Sequence, residues 1–317
     1  MAPMRVIVLL LPDVHLLDLS GPVQTFYEAT EHGGDYEIVH TGVTPTVRSS
    51  QGLVLADLVP LPVVTGDDLV LVPGIDSTTL DRLEHVPGEW LRRAHAAGAT
   101  ICAVCTGAFV LGRAGLLDGR ECATHWKTTK RLQEKHPAAR VVDNRLFVRD
   151  GTIVTSAGVT SGIDMALALV EERHGPLLTA RVAREMVVYL RRSGDRDQSS
   201  IYLDYRTHLH PGVHRVQDEM VAHPERKHSA TDLARLAGMS PRNLARVFRK
   251  TTGITPLAFA QKVRLQVARD LMSDPELTLE GISARCGFAD ARQLRRLFKS
   301  SFGAPPSAWR SGTGARA

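Results

Sequence analysis

The amino-acid sequence predicts two architectures in one chain: an α/β domain with a parallel sheet sandwiched by helices, then an all-α domain holding two helix-turn-helix units. Three observations predict it. Short β-branched or leucine-rich runs alternate with helical stretches through about the first 190 residues. A pattern of glycine, turn and arginine-rich amphipathic segment occurs twice in the last third, about fifty residues apart. The charge also divides: residues 206–317 hold 19 Lys+Arg against 9 Asp+Glu, whereas residues 1–205 hold 20 against 25. A basic tail on an acidic body is the electrostatic footprint of a nucleic-acid-binding module joined to a sensor or enzyme domain.

In the first part the runs predict strands at Arg5–Leu11, Tyr36–His40, Asp68–Val72, Thr100–Val104 and Thr152–Thr155. Helices are predicted to begin near Gly21, Thr78, Gly88, Thr106, Lys127, Ser161 and Leu177. Ligands bind such sheets at the carboxyl ends of the strands. Three segments converge there: Leu16 to Pro22, Cys105 to Ala108, and Ser156 to Gly162.

The middle segment carries the chemistry. Thr100–Val104 reads as a fully buried strand, and Cys105 follows it directly before a glycine-containing helix start, an elbow suited to a nucleophile. A helix N-terminus there is expected to lower the thiol pKa, although a small buried packing residue fits the position too. Asp18 follows the first strand, where its carboxyl either takes the thiol proton, donates to the sulfur, or caps a helix ahead of Gly21-Pro22. His125, beside Trp126, is a candidate base or a packed structural histidine. Cys102 lies three residues before Cys105 and falls on the opposite face of its strand, so neither a redox pair nor a zinc site is expected.

The repeat predicts the second part. Gly238 to Arg249 returns as Gly287 to Lys299 with one extra residue after the second glycine. Each copy follows a short helical stretch, Asp232–Ala237 and Glu280–Cys286. Leu244, Val247 and Phe248, and likewise Leu294, Leu297 and Phe298, fall at i, i+3, i+4 and predict one buried stripe per helix. The opposite face carries Arg242, Arg246 and Arg249 in the first copy and Arg292, Arg295, Arg296 and Lys299 in the second. Asn243, Ala245 and Gln293 join that DNA-facing set. A short helix, a tight turn and such a second helix form a helix-turn-helix, and two of them suit neighbouring major grooves of double-stranded DNA, with recognition helices Pro241–Thr251 and Asp290–Ser300. An arginine near the start of a recognition helix can fork onto guanine O6 and N7, while those further along reach phosphates.

No apolar run approaches the length of a membrane span, and Pro12-Asp13 ends the Val6–Leu11 run too early for a signal peptide. Cys102, Cys105, Cys122 and Cys286 have no disulfide-framework spacing, which fits a reducing cytoplasm. The break near Arg191–Gly212 divides the chain into a first domain over 1–192, a linker over 193–212 and a DNA-binding domain over 213–312.

Leu16 to Pro22, Val104 to Arg120, Ala123 to Trp126 and Thr160 to Asp164 resemble the PfpI branch of the class I glutamine amidotransferase-like superfamily, with a flavodoxin-like sheet, over roughly residues 4–190. Its enzymes most like this chain are the isocyanide hydratases. From about residue 213 to 311 the chain resembles the AraC/XylS regulators, including the closing Phe302-Gly303-Ala304-Pro305-Pro306-Ser307-Ala308-Trp309. Together they resemble the GlxA-type transcription regulators, a group with AdpA-like activators. That resemblance implies a nucleophile-type Cys105 with Thr106 beside it, Asp18 as its carboxylate partner, and a pocket lined by Gly74, His125, Val159, Thr160 and Ser161. It places base-reading positions on Arg242, Ala245, Arg246, Arg292, Arg295 and Arg296, with Ala245 limited to a methyl contact. Thr106 replaces the histidine of the peptidase branch, so peptidase activity is not expected.

Three readings follow: a sequence-specific regulator whose N-terminal domain binds a small-molecule effector or forms a homodimer without turnover; a bifunctional protein with hydratase-like chemistry on Cys105 and Asp18; and a protein that binds DNA with little sequence preference. The first is expected, with promoter DNA and RNA polymerase as partners, and with no cofactor or metal. The arginine placement argues against the third.

Overall fold

The computed structural model describes residues 3–82, 86–188, 192, 194, 198, 201–272, 274 and 276–310. The chain divides into two compact units, Met1–Gln198 and Ser199–Ala317. Of the span expected as a linker, residues 193, 195–197 and 199–200 lie outside the described residues; the rest includes a short helix and the start of another.

The first unit opens with β1 (Met4–Leu9), α1 (Leu16–Glu31) and β2 (Tyr36–Thr41), followed by the small hairpin of β3 (Val47–Arg48) and β4 (Val54–Leu55). Next come β5 (Leu69–Val72), α2 (Ser77–Arg82), α3 (Gly88–Ala96), β6 (Thr100–Val104), α4 (Gly107–Arg113), β7 (Glu121–Cys122), α5 (Thr129–Lys135) and β8 (Arg140–Val141). The unit continues through β9 (Phe147–Asp150), β10 (Ile153–Ser156), α6 (Ser161–His174) and α7 (Pro176–Glu185). The main sheet has the order β2-β1-β5-β6-β10-β9 and is parallel except where β9 runs against β10. Strands β5 and β6 are buried along nearly their whole length, as apolar runs covered on both faces require. The α/β class read from the sequence holds. β9 is not among the strands expected from it; Asp150-Gly151 is a hairpin signal, and the two-residue connection Gly151-Thr152 turns the chain back onto β10.

α1 begins at Leu16, not near Gly21, so Gly21 and Pro22 lie inside the helix. Close packing overrides the helix-breaking character of proline. A Cβ on Gly21 would stand 2.9 Å from Ile163 Cγ1, and one on Gly162 would stand 3.1 Å from Pro22 Cγ, so α1 and α6 meet at distances only glycine allows. The Leu16 N–H finds an acceptor in Gln51 Oε1 at 3.0 Å.

The second unit is helical: α8 (Ile201–Asp204), α9 (Pro211–Ala222), α10 (Ala230–Ala237), α11 (Pro241–Thr252), α12 (Pro256–Leu271), α13 (Leu279–Arg285), α14 (Ala291–Phe302) and α15 (Pro306–Arg310). Two apolar cores form. Val213, Val216, Leu233, Leu244, Phe248 and Phe259 build the first, and Leu265, Ala268, Ile282, Leu294 and Phe298 build the second. α12 serves both, with Phe259 and Val263 in the first core, Leu265 and Ala268 in the second, and Val267 packed against each. Ser229, Ser240, Thr255, Thr278 and Asp290 cap five of the helices through side-chain oxygens that accept from backbone N–H groups.

Candidate functional site

The cysteine site is assembled by the loops after β1, β5, β6 and β10. Cys105 sits at the elbow with φ +56°, a left-handed conformation for a non-glycine residue. Its N–H donates to Ser156 O at 2.9 Å, and its carbonyl accepts from Thr124 Oγ1 at 2.8 Å. Two glycines make the room. A Cβ on Gly158 would lie 2.3 Å from Cys105 Cβ and 2.9 Å from its Sγ, and one on Gly74 would lie 2.3 Å from Asp18 Oδ2 and 3.0 Å from Cys105 Cβ.

Asp18 stands in the first turn of α1 and is 2% exposed. It does not cap that helix. Its Oδ1 accepts the Val159 N–H at 2.6 Å, and its carboxyl lies beside Cys105 across Gly74. Burial pushes the Asp18 carboxyl above the ordinary carboxylate range, with the Val159 N–H opposing it. The thiol goes the same way: burial, and then the Asp18 charge, push Cys105 well above an ordinary thiol. The lowered thiol pKa expected from a helix start is therefore corrected. At 8% exposure beside a carboxyl, desolvation and like charge outweigh the dipole of the seven-residue α4. Chemically the pair is a buried thiol beside a buried carboxyl, both held toward their protonated forms.

The other expected pocket residues divide. Thr106 Oγ1 donates to Ile75 O at 2.6 Å and accepts the Ile75 N–H at 2.8 Å, so its hydroxyl fastens the elbow to the loop after β5. Ser161 Oγ donates to Gly158 O at 2.8 Å. Thr160 Oγ1 accepts from Arg192, whose guanidinium also forks onto the buried Asp164 carboxylate. Val159 has φ +53° and is 42% exposed. His125 is half-buried; desolvation lowers its pKa, and Asp18 lies close enough for each charge to act on the other. Gln198 Nε2 donates to the carbonyl of Thr124, the residue that holds Cys105 O. The roles of Arg192 and Gln198 rest on contacts distant in sequence, and no local spacing marks them.

In the helical unit α11 and α14 present the same pattern. Arg242, Ala245, Arg246 and Arg249 in one, and Arg292, Arg295, Arg296 and Lys299 in the other, are exposed, while Leu244, Phe248, Leu294 and Phe298 are buried. The preceding turns pass through Gly238 at φ +69° and Gly287 at φ +72°. The two faces differ in detail. Asn243 Oδ1 accepts from Arg246 Nη2 at 2.8 Å and steadies that arginine. Gln293 Oε1 instead accepts the Ala289 N–H at 2.8 Å, reaching back to the helix start, while Asp290 accepts the Gln293 N–H. Gln293 thereby caps α14 more than it extends the open face. Arg295 pairs loosely with the exposed Glu280 at 3.7 Å.

Among the described residues no helix is long and apolar enough to cross a membrane, and all four cysteines are buried and free.

A sheet of this order with a buried cysteine elbow, followed by two capped helix-turn-helix units, defines a DNA-binding regulator built on a PfpI-like domain. Residues 4–172 match the DJ-1/PfpI family and residues 233–312 match a helix-turn-helix domain. The chain is 31% identical over 303 residues to the HTH-type transcriptional regulator CdhR of Pseudomonas aeruginosa, spanning 94% of this chain and 89% of that one. It is 33% identical over 224 residues to the HTH-type transcriptional regulator GlxA of Rhizobium meliloti, covering 71% and 69%. To the isonitrile hydratase of Pseudomonas putida it is 35% identical over 175 residues, 53% of this chain and 71% of that one. The chain belongs to the DJ-1/PfpI family, in the branch that carries a C-terminal helix-turn-helix domain of AraC type.

Proposed function

We propose that the protein is a sequence-specific promoter-binding regulator of the GlxA type that inserts α11 and α14 into successive major grooves about 34 Å apart. The observation that carries this is the repeated face: two helices with matching exposed guanidinium positions, each after a left-handed glycine turn, in a segment with ten more basic than acidic residues. Arg242, Arg246, Arg292 and Arg296 read bases, with Asn243 orienting Arg246; Arg295, a base-reading position by resemblance, leans toward Glu280 and is assigned instead, with Arg249 and Lys299, to phosphates. The N-terminal unit binds a small effector beside Cys105 and self-associates, so that two tails occupy one promoter and meet RNA polymerase in the cytoplasm. In vitro selection of bound duplexes tests the reading. Arg242→Ala or Arg292→Ala is expected to cost about 1–3 kcal/mol on the selected duplex and less on random DNA. Equal losses on both, or no enriched sequence, would refute it.

A second reading keeps turnover. The closeness of Asp18 to Cys105 favours it, because a carboxyl beside a thiol gives a substrate at this site both a nucleophile and a group that can exchange its proton. Comparing isocyanide and related small-molecule turnover by the intact chain and by Cys105→Ser decides it; no thiol-dependent rate removes the reading.

A further inference from the structure

The two helix-turn-helix units are joined by more than a continuous helix. Arg264 leaves α12 at the point where its apolar residues pass from the first core to the second, after Val263 and before Leu265. Its three nitrogens take three carbonyls. Nε donates to Pro224 O at 2.7 Å and Nη2 to Arg226 O at 2.6 Å, both in the loop between α9 and α10 of the first unit. Nη1 donates to Gly287 O at 3.0 Å, in the turn between α13 and α14 of the second. The same turn rests on the same loop. A Cβ on Gly287 would lie 2.5 Å from Glu225 O and 2.8 Å from Glu225 Cα, whereas one on Gly238, the equivalent glycine of the first unit, would meet nothing within 4 Å. A left-handed turn needs glycine at both positions; only at Gly287 does a neighbouring backbone need it as well.

We propose that Arg264 is a positioning residue that fixes the offset and rotation of α14 relative to α11 and so makes the protein selective for the number of base pairs between its two half-sites. The inference rests on the reading that both helices enter DNA. Adding one base pair moves a half-site by about 3.4 Å and turns it by roughly 35°. A pair of helices locked by a three-pronged, charge-assisted clamp meets one spacing and pays little ordering cost on binding. With the clamp removed, the α9–α10 loop and the α13–α14 turn rock about α12. Several spacings are then met, each more weakly, because the second contact acts at a lower effective concentration.

The test uses the full chain and the duplex recovered by selection with the wild-type protein. Companion duplexes carry one base pair more or fewer between the halves, or a scrambled second half. Wild type is expected to lose about tenfold or more when the spacing changes by one base pair. Arg264→Ala should lose about tenfold on the native spacing, lose only about threefold further on the altered ones, and match wild type within about twofold on the half-scrambled duplex. Arg264→Lys, which keeps the charge and loses the fork, should fall between them. Gly287→Ala should flatten the spacing preference, and Gly238→Ala, equally strained but without the neighbour, should not. That glycine pair decides the matter if Arg264→Ala fails to fold. Retention of the wild-type spacing preference by folded Arg264→Ala, or an equal loss on the half-scrambled duplex, overturns the proposal. Failure of selection to recover any duplex would instead sink the DNA-binding reading beneath it.

Discussion

The backbone N–H of Val159 donates to Oδ1 of Asp18 at 2.6 Å, joining positions 141 residues apart. It ties the loop after β10 to the first turn of α1, directly over Cys105, and it is the main interaction opposing the burial of that carboxyl. Both shifts at this site therefore run against ionisation, and both can be measured.

Cys105 is expected to be a slow nucleophile. At about pH 7.5 iodoacetamide should modify it at least about tenfold more slowly than free cysteine, since only the thiolate reacts. Asp18→Asn removes the neighbouring charge and should move the onset of labelling to lower pH. Intact-mass measurement across a pH series checks this, and mild peroxide should show no selectivity for Cys105. Faster labelling in wild type than in Asp18→Asn would contradict the assignment.

Stability should depend on pH through Asp18. A carboxyl whose folded pKa is raised stabilises the fold while both states hold the proton, and that contribution is lost as pH climbs from the unfolded value near 4 through the folded one. Asp18→Asn keeps an acceptor for Val159 without the charge. Its stability relative to wild type is expected to improve as pH rises from about 4 toward neutrality, by about 1.4 kcal/mol for each pKa unit of the shift. Thermal melts of both proteins over that range decide it, and a constant difference would count against a buried carboxyl under strain.

Position 245 offers a test of the groove-facing surfaces. Ala245 and Arg295 occupy equivalent exposed sites on α11 and α14. Ala245→Arg should steepen the dependence of log affinity on log salt by about 0.9, the value of one further phosphate contact, and Arg295→Ala should flatten it by a similar amount. Titrations at several salt concentrations read this directly. Unchanged slopes in both variants would mean these positions do not face the backbone.

Truncating Phe298 to Ala should cost about 3–5 kcal/mol, because its ring is fully buried among Leu294, Ile282 and Phe302. Val267 packs against both cores, so the first helix-turn-helix is expected to melt together with the second. Calorimetry that resolved the two as separate transitions would disprove the coupling.

Much of this was legible in the chain because its determinants are local. The repeated stripe and basic face occupy consecutive turns, and the capping oxygens of Ser240 and Asp290 stand beside the helices they begin. Cys105 could be placed at an elbow from a buried strand followed by glycine. What escaped depends on residues far apart in sequence: Gly21 lies inside α1 packed against Ile163, and the thiol pKa is set by burial and Asp18. Arg264 carries no local signature either, since its partners are carbonyls of Pro224, Arg226 and Gly287 and any residue type supplies a carbonyl.

One helix, α12, is common property of two cores. A cut before Val263 takes Val263 and Val267 from the first module, and a cut after Ala268 takes Leu265, Val267 and Ala268 from the second. Neither helix-turn-helix can thus be excised as a free-standing reader, and the smallest portable fragment of this tail is the whole pair.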